Sequence, residues 1–300
     1  AHAVLSQSSC RLQRIESPSL NGRHSNGVAF LFTGQGSQYE DMGIELFKSE
    51  PFFRSALELC EDTFLDYTGE SLLDKMFPKV KSDSSRSALL SQTRYAQPAI
   101  FALEWSLCEM WRESGVIPSV LLGHSIGEIA AACVAGAMSM PDGIRLAAER
   151  GRLMQALPRN EGVMMAVRET VHSIEKVISD CGLTKSVSVA AINGPRSVVI
   201  SGLRYDVNRI MSQIGSNGIL LDVSHAFHSP LILPVADQIR ELVQSINFNP
   251  LSIPLVSTVT GEMIAAGERL ENEHWIRQLS YPVLFVNALE GALAMKSRTN

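Results

Sequence analysis

Ser125 stands in the pentapeptide Gly123-His124-Ser125-Ile126-Gly127, between the apolar run Val120-Leu121-Leu122 and the alanine-rich run Ile129-Ala130-Ala131-Ala132. A strand, a sharp turn and a helix in that order form a nucleophile elbow, which lifts a serine hydroxyl to the tip of the turn and leaves an amide free at the helix start. Glycines on both sides let the backbone turn without a Cβ clash. Ser125 is therefore the candidate nucleophile, against the plainer reading of a serine in a turn. Three other groups could work with it. Thr33-Gly34-Gln35-Gly36-Ser37-Gln38 follows the apolar run from Val28 to Phe32. It lacks the Lys-Ser/Thr of a P-loop and the glycine spacing of a dinucleotide fingerprint, so it either brings the Gln35 amide to a reacting carbonyl or is a simple tight turn. Arg150 falls on the apolar face of a helix predicted from Pro141 to about Leu157, together with Leu146, Ala147, Leu153 and Met154. A guanidinium there keeps its charge and needs an anion, either an internal salt bridge or a substrate carboxylate held in a bidentate clamp. Ser224-His225-Ala226-Phe227-His228-Ser229-Pro230 offers two histidines three apart. They lack a third metal ligand, and surface histidines would do no chemistry; beside a serine nucleophile, a histidine on the same cleft serves best as its general base.

The elements that must position these groups follow from periodicity. Val28 to Phe32 reads as a strand, Pro51 to Phe64 as an amphipathic helix, and Lys79 to Ser87 as a surface loop. Gln97-Pro98 is expected to open a second helix, with Gln97 at its mouth facing the site. From residue 162 to 223 the order is β-α-β-β-α-β, with strands at Gly162 to Val167, Val187 to Ala191, Ser197 to Ser201 and Ile219 to Val223, and helices at Val171 to Cys181 and Tyr205 to Ile214. That is the order of a ferredoxin-like unit, and inserting it into a larger domain creates a cleft. A helix from Pro234 to Ile246 and a strand from Ile253 to Ser257 return the chain to the larger domain.

The 300 residues carry 45% hydrophobic and 19% charged side chains with a net charge of −5, a globular balance with no basic bias toward nucleic acid. No apolar run reaches the ~18 residues of a membrane span. Five scattered cysteines read as reduced core residues of a cytoplasmic-type compartment, and the histidines and cysteines show no metal-ligand spacing. Residues 1–26, rich in Ser, Arg and Asn, read as a linker or leader, with a transit-peptide remnant and an organellar location as the alternative.

Taken together, these stretches resemble the malonyl-CoA:acyl carrier protein transacylases, and within them the acyltransferase domains of type I polyketide synthases. The resemblance rests on Phe32 to Gln38, Gln97-Pro98-Ala99, Gly123 to Glu128, Arg150 to Met154, Ala191-Ile192-Asn193-Gly194-Pro195, His225 to Pro230 and Trp275 to Val283, in the family's order and spacing. It implies an α/β fold: an α/β-hydrolase-like large subdomain from residues 27–161 and 224–300, with a ferredoxin-like small subdomain at 162–223. It implies Ser125 as nucleophile, His228 as base, the amides of Gln35 and Ile126 as oxyanion hole, and Arg150 on the free carboxylate of the acyl group. Gln97, His124, Asn193 and Phe227 would line the pocket. The backbone carbonyl of Gln278, where the polyketide branch more often has Asn, would orient His228 and leave a dyad. The implied donor is malonyl-CoA, with no bound cofactor; the implied partners are an acyl carrier protein and adjacent synthase domains. Phe227 and the branched Ile126 are expected to crowd an α-methyl and favour malonyl over methylmalonyl. The family continues into a further strand and a Gly-Pro-His-type segment, so the return of the large subdomain is expected to be truncated at Asn300.

Two rivals remain at this level. A serine hydrolase on the same elbow would need an acidic orienter for its histidine and has no use for a buried Arg150. A non-catalytic docking domain would have no reason to carry Ser125, His228 and Arg150 together.

Overall fold

The computed structural model describes residues 27–78, 87–158, 162–215 and 218–294. The expected leader at 1–26 and almost all of the expected loop at 79–87 lie outside them. In chain order the large subdomain begins with β1 (Val28–Phe32), α1 (Ile44–Ser49), α2 (Pro51–Thr68), α3 (Leu73–Met76), α4 (Ser87–Leu90), α5 (Thr93–Glu113), β2 (Pro118–Gly123), α6 (Ile126–Val134) and α7 (Met140–Ala156). The small subdomain follows as β3 (Gly162–Val167), α8 (Val171–Asp180), β4 (Val187–Gly194), β5 (Ser197–Leu203), α9 (Arg204–Ile214) and β6 (Ile219–Leu220). The return comprises a 3-10 helix (Pro230–Val235), α10 (Ala236–Ser245), β7 (Leu255–Val256), β8 (Met263–Ile264), α11 (Asn272–Ser280) and α12 (Phe285–Ala294).

Two sheets carry the molecule. In the first, β2 lies between β1 and β7, parallel to both, and β8 closes the row antiparallel to β7. A central parallel strand is covered on both faces, which is why Val120-Leu121-Leu122 reads as a continuous apolar run. The second sheet, in the order β4-β5-β3-β6, is antiparallel and has the strand order of a ferredoxin-like unit. Its side chains alternate with the strand period. Val163, Val167, Val198 and Ile200 pack under α8 and α9 in a core of their own, whereas Met164, Ala190, Ala191 and Val199 join the core of the large subdomain. One face of the small sheet thus forms a wall of the cleft.

Several local expectations are corrected. Gln97 is not at a helix mouth: α5 begins one turn earlier at Thr93, because Gln92 already has an extended backbone (φ −74°, ψ 126°) and acts as N-cap. Pro98 sits inside α5, where its missing N–H leaves the Arg94 carbonyl without the usual helical donor. The strand expected at residues 219–223 is confined to Ile219–Leu220, and that at 253–257 to Leu255–Val256. The helix expected from Pro234 to Ile246 divides into the 3-10 turn and α10.

Candidate active site

The elbow is made by close backbone approach. A Cβ on Gly123 would lie 2.3 Å from the Gly127 carbonyl, and one on Gly127 would lie 2.4 Å from the Thr33 carbonyl. Neither position accepts a side chain, and the second contact presses the start of α6 against the end of β1 and the Gln35 loop. Ser125 pays for the turn with φ 54° and ψ −110°, a region non-glycine residues avoid. Its Oγ lies 2.8 Å from Nε2 of His228, more than one hundred positions later. His228 also has a positive φ, 55°. Its Nδ1 lies 3.0 Å from the Tyr281 carbonyl, which can only accept, so Nδ1 carries the proton and Nε2 is left to accept from Ser125. The expected orienter is thereby joined by a second. Tyr281, at the C-terminus of α11, supplies the main carbonyl and that of Gln278 contributes beside it. The Gln278 side chain turns the other way, its amide donating to the Ser125 carbonyl at 3.0 Å. Ser188 of β4 donates to the carbonyl of His228 at 2.8 Å, so both subdomains hold the ring's backbone.

Arg150 is buried, and its Nη2 donates to Ser125 Oγ at 3.2 Å. No carboxylate among the described residues pairs with it, and its Nε–H has no partner. Of the two readings left open by the sequence, the internal salt bridge therefore finds no partner among the described residues. Burial lowers its pKa to about 10, with the Glu128 charge opposing, so the guanidinium stays charged where it lines the cleft. Burial, and next the neighbouring Arg150 cation, push His228 down to about 3, against the carbonyls of Tyr281 and Gln278. The histidine is a neutral imidazole at physiological pH.

A cavity of about 230 Å³ opens between the two sheets, lined by Gln35, Gln97, His124, Ser125, Arg150, Asn193, Phe227 and His228, with Met164, Val199, Leu221 and Val223 as its apolar wall. His124 Nε2 and Asn193 Oδ1 meet across it at 3.1 Å, and burial holds His124 below its ordinary pKa. Gln97 donates to Gln35 Oε1 at 3.3 Å while its own Oε1 finds no partner. Ile126 is absent from the lining: its side chain is fully buried in the large core, and only its backbone belongs to the site. As the first residue of α6 its N–H has no carbonyl one turn earlier to pair with. The expectation that Ile126 walls the pocket is corrected accordingly; an elbow residue must point its side chain under the helix it starts. Sequence reading also missed Glu104, whose buried carboxyl takes the Thr33 N–H and hydroxyl and so anchors the Gln35 loop. A lone glutamate in an amphipathic helix carries no signal of that task. A larger cavity of about 440 Å³ between α2, α5 and α7 holds Arg94, Arg152, Glu70 and Glu149 already paired with one another, and its hydroxyls, on Tyr67, Thr68 and Tyr95, have no histidine among the lining residues to activate them.

The chain is 39% identical over 279 residues to the polyketide synthase GfsB of Streptomyces halstedii, covering 91% of this chain and 5% of that synthase. It is 38% identical over 267 residues to the PKS-NRPS hybrid synthetase ATPKS of Aspergillus niger, covering 88% of this chain and 14% of the relative. Among solved structures, the acyltransferase domain from the second module of the salinomycin polyketide synthase superimposes with a TM-score of 0.82 at 38% identity, over 90% of this chain and 61% of that one. The malonyl CoA-acyl carrier protein transacylase of Clostridium perfringens does so with a TM-score of 0.81 at 27% identity, over 90% and 83%. With a model of the acyl transferase domain matching residues 29–299, this chain belongs to the acyl transferase domain family.

Proposed function

We propose that the chain takes a malonyl group from coenzyme A onto Ser125 and passes it to the phosphopantetheine thiol of an acyl carrier protein. The observation that carries this reading is a charged guanidinium, with no carboxylate partner among the described residues, 3.2 Å from a serine hydroxyl that also bonds a neutral imidazole. His228 Nε2 takes the Ser125 proton as Oγ adds to the thioester carbonyl, and the oxyanion meets the amides of Gln35 and Ile126. Collapse expels the CoA thiolate, which takes the proton back from His228. The carrier thiol then repeats the sequence in reverse. Arg150 binds the distal carboxylate and so places the carbonyl against Ser125. The coenzyme A ester is substrate, and the reading needs no metal or resident cofactor. Adjacent synthase domains are the natural neighbours, since the matched relatives are much longer than this chain. The hydrolase alternative loses its support at His228, which has a carbonyl rather than a carboxylate behind it. Exposure to malonyl-CoA followed by intact-mass measurement tests the reading: a stable malonyl adduct at Ser125 that moves to carrier protein is expected, and rapid release of free malonate would refute it.

Substrate choice follows from the walls. With Ile126 removed from the lining, Phe227, which lines the cavity together with Met164 and Val199, is left as the crowding residue. One methyl is worth about 1–3 kcal/mol, so malonyl-CoA should exceed methylmalonyl-CoA roughly 10- to 200-fold in kcat/KM. Equal values in a direct competition would remove the preference.

The pH profile carries a sign. A protonated imidazole cannot take the Ser125 proton, so activity is lost as pH falls through the histidine pKa. An ordinary histidine would give half-loss at about 6.5. With His228 lowered to about 3, kcat/KM for acylation is expected to stay flat from about pH 5 to pH 8. A stopped-flow profile with an inflection near 6.5 would contradict the depressed basicity.

A further inference from the structure

Glu128 is the third residue after Ser125 on α6, and it is fully buried without lining the cavity. Its Oε1 accepts the Thr258 N–H at 3.1 Å and lies 3.2 Å from His274 Nε2. Its Oε2 lies 2.7 Å from the Thr258 hydroxyl, which is also 3.1 Å from the Gly123 carbonyl, and 3.4 Å from the Gln278 amide nitrogen. The same amide nitrogen donates its other proton to the Ser125 carbonyl. His274 and Gln278 are four apart on α11 and so share one face of it. The carboxylate therefore sits between two helices with opposite duties. One, α6, starts at the strained Ser125; the other, α11, ends at the carbonyls that hold His228.

We infer that Glu128 is the positioning residue of this centre: it locks α6 to α11 from behind the cavity and thereby sets the distance and alignment between Ser125 Oγ and His228 Nε2. The inference rests on the acyl-transfer reading of Ser125 and His228. Burying an isolated carboxylate is unfavourable, and an apolar side chain would join the two helices as well. What an apolar side chain cannot do is orient the Gln278 amide, and that amide pins the carbonyl of the residue whose φ is 54°. The Gln278 amide, which gives one proton to Glu128, has its second free for the Ser125 carbonyl, so the carboxylate and the elbow backbone are joined through one group. Thr258 closes the network from beyond β7, the strand beside β2, so three elements meet on one carboxylate.

The test separates positioning from folding by measuring single-turnover acylation of the full chain with malonyl-CoA, with the labelled fraction of sites and the half-saturating concentration determined in the same runs. Glu128→Gln keeps the size and removes the charge. The expected result is a 10- to 100-fold fall in the rate per labelled site, the scale seen when a group that orients a metal ligand is removed, with half-saturation little changed and the labelled fraction retained. Glu128→Gln combined with Gln278→Ala should lose no more than the worse single variant, because both act through one linkage. An unchanged rate per labelled site, whether or not the labelled fraction falls, overturns the inference. Should Glu128→Gln fail to fold, Gln278→Ala alone, which removes a neutral group, must show the same fall in rate at unchanged half-saturation; a normal rate there overturns it equally. Wild-type protein that does not label at Ser125 refutes the acyl-transfer reading and this inference with it, whereas a labelling wild type with unaffected variants refutes the inference only.

Discussion

Ser125→Ala is expected to abolish the covalent acyl-enzyme, and His228→Ala to slow its formation by about 10²- to 10⁴-fold, the range of a positioned general base. The serine loss is absolute because no other hydroxyl lining the cavity sits at a helix start with an imidazole 2.8 Å away. The histidine loss is large because its ring is fixed at both nitrogens, Nδ1 by the Tyr281 carbonyl and Nε2 by the hydroxyl it serves. Water admitted by the alanine variant would be a weaker base without that alignment. Tyr281→Ala is the matched control. The Tyr281 side chain is half exposed and only its carbonyl is used, so the variant should keep its rate within about twofold, the scale of a surface substitution. A His228→Ala protein that acylates at the wild-type rate, measured by intact mass against time, would remove the dyad from the mechanism.

Arg150→Ala is expected to cut malonyl loading by about 10²- to 10³-fold while leaving acetyl loading unharmed or improved. A charge-assisted hydrogen bond is worth about 1.5–3 kcal/mol, and a guanidinium can offer two to one carboxylate. The improvement with acetyl has a separate cause. Arg150 donates to Ser125 Oγ and its charge is among the causes that depress His228, so removing it strengthens the base for any substrate that does not need the clamp. By the same argument a malonyl carboxylate bound as proposed is expected to neutralise Arg150 and so raise the basicity of His228. Arg150→Lys, which keeps the charge and loses the fork, should fall between wild type and alanine. Rates with malonyl-CoA and acetyl-CoA measured side by side decide it: an equal loss for both esters would show that Arg150 only supports the fold.

The difference between what could and could not be read from the chain is clearest at Arg150 and His228. Periodicity placed Arg150 on an apolar face, yet it could not choose between an ion pair and a substrate clamp. That choice depends on whether an acid from elsewhere in the chain arrives beside it, and none among the described residues does. His228 was legible from its motif, but its orienter was placed at Gln278 and lies chiefly at Tyr281. Backbone carbonyls have no side-chain signature, and a shift of three residues at a helix end changes which of them faces a ring. Ile126 was correctly set at the start of α6, but its side chain was assigned to the wrong side of the turn.

By itself, the sequence determined the type and order of the main elements, though not all of their bounds, and the elbow. Strand and helix periods, the two glycines that a Cβ would drive into neighbouring backbone, and the β-α-β-β-α-β order are local properties, set by chain stereochemistry and by which side chains avoid water. Only the tertiary structure decided what each charged or polar group does, because those roles come from partners up to about one hundred and fifty positions away: Glu104 under the Gln35 loop, Asn193 against His124, and Glu128 between α6 and α11. In a buried site the meaning of a carboxylate or an imidazole is fixed by its few nearest atoms, and those atoms are chosen by the packing of helices and sheets rather than by neighbours in the chain.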